Sequence, residues 1–138
     1  MMWIIYACLS ALFAALTSIL AKIGLDGISS NVATAIRTIV ILFMSWAMVF
    51  IAGSQNQLFN LSAKNWWFLI ASGLATGASW LCYFKALQMG EVSKVVAIDK
   101  FSLVLTIVLA ALFLSETLSL KAIIGCTLIT IGTLVMVW

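Results

Sequence analysis

Five long apolar runs, separated by connections too short to hold a domain of their own, constrain this chain more than any other feature. A helix that crosses a bilayer needs about 20 mainly apolar residues. Each crossing segment must also satisfy its own backbone hydrogen bonds, which excludes open strands in lipid. The runs at about residues 3–24, 32–53, 66–87, 95–114 and 122–138 meet both conditions. They predict an all-α, polytopic membrane protein with five transmembrane helices and a single transmembrane domain over residues 1–138. Connections this short make successive helices antiparallel.

Composition supports the same class. The chain is 65% hydrophobic and only 8% charged, with a mean hydropathy of +1.26, whereas a soluble domain is about half apolar and a quarter charged. Seven Lys and Arg residues are too few for the basic stripe that a nucleic acid requires, so nucleic acid is excluded as a partner. With no His and no paired-Cys spacing there is no metal signature. Cys8, Cys82 and Cys126 each sit inside an apolar run and read as packing residues. Nothing resembles a catalytic site or a phosphate loop, so neither enzyme activity nor a cofactor is expected. The first run lacks a basic flank and exceeds a signal-peptide core, so it is expected to remain in the mature protein.

Asn31 is expected to cap the second helix and Ser119 the fifth. Trp66, Trp67 and Trp138 occupy span ends, where aromatic anchors belong. Lys22, Arg37, Lys85, Lys94 and Lys100 fall toward one side of the membrane, against Lys64 and Lys121 on the other. The excess favours the N-terminus out and the C-terminus in. Without Arg37 and Lys100, which lie inside spans, the bias almost vanishes, and insertion both ways round stays open.

Polar side chains recur at helical spacing in two spans. In the third, Ser72, Thr76, Ser79 and Tyr83 share one stripe beside Trp80. Gly73 and Gly77 form a Gly-xxx-Gly pair, the spacing that lets helix backbones approach closely in lipid. In the fourth, Asp99, Ser102, Thr106 and Ala110 line one face. These stripes serve either as packing faces with satisfied hydroxyls or as the wall of a substrate path, with Ser72, Thr76, Trp80, Tyr83, Ser102 and Thr106 as substrate contacts. An intramembrane charge costs at least about 2.5 kcal/mol, so Asp99, Lys100 and Arg37 need partners or water. Arg37 and Asp99 lie about one turn inside their helices from the same side, so they can pair, as a structural lock or as charge coupling during transport. Lys22, Lys85 and Lys94 flank the same mouth and serve either to attract anionic groups or as snorkelling anchors. Glu116 precedes the last helix, where its carboxylate suits free first-turn amides. Gly125 and Gly132 lie on one face of that helix and suit helix packing.

Residues 85–102 (KALQMGEVSKVVAIDKFS), 112–118 (LFLSETL) and the segment from Gly125 to Gly132 resemble the EamA domain of the drug/metabolite transporter superfamily. Ala35-Ile36-Arg37 resembles that family's second span, and the resemblance covers nearly the whole chain. It implies one half of an inverted-repeat transporter, in which two five-helix halves of opposite orientation form a site near the midplane and work by alternating access. One half alone implies a dimer, either an antiparallel homodimer or a heterodimer with a sister half, that moves small metabolites or drugs across the cell (cytoplasmic) membrane. The alternatives are a non-transporting subunit that stabilises a partner, and a lipid flippase, with membrane lipid as the partner. Two departures matter. The chain has no proline, so the resemblance brings no proline-kinked gate in the fourth helix. It also has no acidic residue in the first helix, so the proton-exchange mechanism of the related small multidrug-resistance exporters does not transfer.

Overall fold

A computed structural model describes residues 2–138. The helices are α1 (Met2–Gly24), α2 (Ser30–Ile51), α3 (Ala63–Met89), α4 (Val92–Asp99), α5 (Phe101–Phe113) and α6 (Leu120–Val137), with a short 3-10 helix at Gln55–Asn60 and no strand among the described residues. With α4 and α5 taken together as Val92–Phe113, five segments are long and apolar enough to cross a membrane. The five expected spans are therefore present, with ends displaced by a few residues.

Local chemistry sets those ends. Ser29, not Asn31, caps α2, its hydroxyl accepting from the Val32 amide at 3.4 Å. Both are short polar residues in one turn, and the chain begins the helix two residues earlier than expected. Ser119 caps α6 as expected, accepting from the Ala122 amide at 3.1 Å. At the far end of α2, Gly53 takes the left-handed conformation (φ 64°). Its amide donates to the Phe50 carbonyl at 3.1 Å and that of Ser54 to Val49 at 3.0 Å. This is the paired closure that satisfies the last carbonyls of a helix and favours glycine.

The fourth span is interrupted at Lys100 although the chain has no proline. The Ala97 carbonyl, which would accept from Phe101 in an unbroken helix, takes the Thr133 hydroxyl of α6 at 3.2 Å. A side chain inserted into the i to i−4 ladder is one of the recognised causes of a helix break. The other threonines with a hydrogen-bonded hydroxyl, such as Thr38 and Thr127, donate to the carbonyl four residues back in their own helix.

The chain divides into two units, each described by itself. The continuous unit is Leu20–Gln88; the split unit joins α1 as far as Ile19 to Met89–Trp138. In the continuous unit the buried side chains are Ala21, Leu25, Ser30, Ala33, Thr34, Phe84 and Leu87. In the split unit α4 and α5 pack against α6, and only Ser18 and Ala97 are buried. Large apolar side chains of every span are exposed, for example Phe43, Trp67, Leu74 and Leu128, which is the surface that a hydrocarbon solvent requires. Trp67 at the start of α3 and Trp138 at the chain end are among them, and Trp66 is half exposed.

Candidate functional site

The split unit contains a cavity of about 740 Å³, within the range of small-molecule sites. One wall is Ala11, Ala14, Ala15 and Ser18 of α1; the opposite wall is Val92, Val96 and Lys100. Both sets follow helical spacing, and the small side chains of α1 leave the volume empty. Lys100 is exposed and stands between the carboxyl end of α4, which favours a cation, and the amino end of α5, which does not. Glu91 and Ser93 supply further polar groups, and Glu91 pairs with Lys94 at 3.7 Å. The buried Ser18 hydroxyl donates to the Ala14 carbonyl at 3.0 Å. The site is thus a largely apolar slot with one cation at a helix break and one carboxylate, Glu91, that is paired with Lys94.

The continuous unit contains a second cavity of about 370 Å³, walled by Ala21, Leu25, Ala33, Ile36, Phe84 and Arg37 among others. The Arg37 guanidinium lies over the Phe84 ring, 4.4 Å from its centroid, a cation–π arrangement. Phe84 is 2% exposed and meets Tyr83 edge to face at 5.5 Å. The Arg37 Nε is buried without a hydrogen-bond partner. At one end of this unit the Lys22 ammonium donates to the Leu87 carbonyl at 2.6 Å, and the Gln88 amide donates to the Ile28 carbonyl at 2.9 Å. These bonds tie the end of α3 to the α1–α2 turn.

Of the residues expected to carry function, Lys100 lines the larger cavity and Arg37 the smaller. Tyr83 joins Arg37 through Phe84. Ser72 and Thr76 are exposed on α3, Trp80 is half-buried there, and Ser102 and Thr106 are exposed on α5; none of them lines either cavity. The Thr76 and Thr106 hydroxyls donate to the Ser72 and Ser102 carbonyls at 2.9 and 2.8 Å, which leaves their oxygens as acceptors. Asp99 ends α4 half-buried in the split unit, and Arg37 belongs to the continuous unit. A side chain built onto Gly73, Gly77, Gly125 or Gly132 would meet open space.

Sequence reasoning missed three contributors. Phe84 gives no signal, being one aromatic among eight phenylalanines in apolar spans. Thr133 looks like any threonine of the last helix. The Ala11, Ala14, Ala15 and Ser18 face did carry a signal, since four small residues recur there at helical spacing.

The whole chain, residues 1–138, matches the EamA-like transporter family. It is 44% identical over 134 residues to an "Uncharacterized transporter in cobO 3'region" of Sinorhizobium sp., covering 97% of this chain and 95% of that protein. No solved structure matches. With five apolar spans and a family match from end to end, this multi-pass membrane protein belongs to the EamA-like transporter family.

Proposed function

We propose that the chain is one half of a small-molecule transporter of the cell membrane, working as an antiparallel homodimer by alternating access. The observation that carries this reading is the interrupted fourth span, which breaks at Lys100 on the wall of the 740 Å³ cavity. Discontinuous spans recur at the substrate sites of transporters because a broken helix exposes backbone groups and a helix end to the solute. A relative of nearly the same length, itself named a transporter, supports a five-helix chain as the working subunit.

A second copy supplies what one copy leaves open. The stripe of Ser72, Thr76, Trp80 and Tyr83, with Ser102 and Thr106, contacts substrate from a cavity completed by the second copy. The glycine faces of α3 and α6 let the helices of two copies approach. Asp99, Arg37 and Lys100 provide charge coupling, since intramembrane charges that change partner or protonation can drive a two-state transition. The test is uptake of a panel of labelled metabolites and dyes into proteoliposomes of the purified protein. The native chain should accumulate at least one solute, with Lys100→Met and Asp99→Asn abolishing the uptake. No uptake of any solute, together with unchanged cellular function of Asp99→Asn, would sink the proposal.

A further inference from the structure

Arg37 is the one arginine of the chain, and it stands seven residues beyond Ser30, about 10 Å along the axis of α2. One face of its guanidinium is covered by Phe84, which satisfies the charge in part but accepts no strong hydrogen bond. The Nε donor is buried and has no partner. Of the four carboxylate residues only Asp26 belongs to the same unit, and it lines a separate pocket with Lys22 and Gln88. The cavity at Arg37 is otherwise apolar, and a water there would find few of the partners that hold buried water.

We infer that this cavity is a binding site for an amphiphilic organic oxyanion, its charged oxygens on the edge of Arg37 and its apolar body between α1, α2 and Phe84. The terminal amino groups of a guanidinium offer paired N–H groups that match two oxygens of a carboxylate or phosphate, and with Nε enclosed they are the donors left to Arg37. The ring of Phe84 fixes the plane of that fork, and the walls of Ala21, Leu25, Ala33 and Ile36 take an alkyl chain or ring. The inference stands on the continuous unit alone and is read by binding, so it can hold or fail whether or not the chain translocates a solute.

A single arginine makes the test direct, because protein labelled with 15N-arginine gives one Nε resonance. The protein is placed in nanodiscs of phosphatidylcholine and titrated with octanoate, with octanol as the uncharged control; a second preparation contains phosphatidylglycerol and no octanoate. A saturable displacement of the resonance by octanoate, with its hydrogen exchange slowed about tenfold or more, assigns the site to a solute oxyanion. The same change with phosphatidylglycerol assigns it to a lipid headgroup, and either outcome sustains the site. Ala33→Leu, which fills the cavity, should weaken the response about tenfold. The site is refuted if neither anion moves the resonance or if octanol moves it equally.

Discussion

Seven of the nine buried side chains among the described residues belong to Leu20–Gln88, and two to the unit formed by the start of α1 with Met89–Trp138. The continuous unit is held at one end by an aromatic and by long polar side chains that reach main-chain carbonyls: Phe84 under Arg37, Lys22 on Leu87, Gln88 on Ile28. The split unit is held by α4 and α5 packed along α6, with one hydroxyl crossing between helices. In lipid, apolar burial gives little drive for helices to associate, so close packing and hydrogen bonds do the joining. The first unit is closed at that end by several long-range ties. The second has a larger cavity and a broken span, with the Thr133 hydroxyl bonded across helices at the break.

Perturbations should separate the two units, and the largest effect belongs to the continuous one. Phe84→Ala removes its most buried ring and should cost about 3 kcal/mol, read as a lower midpoint in equilibrium unfolding of the purified protein; a loss below about 1 kcal/mol would mean that the unit is held elsewhere. Lys22→Met keeps the stem and loses the charged bond to Leu87, at a cost of about 2 kcal/mol by the same measurement. Thr133→Val should cost only about 1 kcal/mol yet alter the accessibility of a cysteine placed at Lys100, while Thr133→Ser retains the native behaviour. Equal effects of valine and serine would remove Thr133 as the cause of the break. The smallest effect is expected for Thr76→Val, under about 0.5 kcal/mol, because its hydroxyl is exposed and bonded within its own helix. A transport defect without loss of stability in that variant would sharpen the case for the α3 stripe as a substrate wall.

The helices were legible because each span announces itself through length and hydropathy, and their ends through residues such as Gly53 and Ser119. The break at Lys100 was not legible, since it carries no proline or glycine and depends on a hydroxyl 36 residues away. Arg37 reads in the sequence as a charge in need of a partner, and nothing there points to an aromatic one. Stacking on Phe84 depends on how α2 and α3 approach, which no local pattern encodes. The two cavities were hidden for a related reason: their walls are alanines, valines and leucines, ordinary residues of any span. The walls of the larger cavity, the small-residue face of α1 and Val92, Val96 and Lys100, do recur at helical spacing, but such spacing is common in any span.

The central claim is that two copies of this chain work in opposite orientations. Single cysteines at Trp3 and Trp138, in a background without Cys8, Cys82 and Cys126, would be labelled in intact cells with a membrane-impermeant maleimide. The account predicts that a fraction of each position labels from outside and the remainder only after the membrane is opened. Complete labelling of one terminus from outside with none at the other would mean that every copy inserts the same way, and would contradict an antiparallel homodimer.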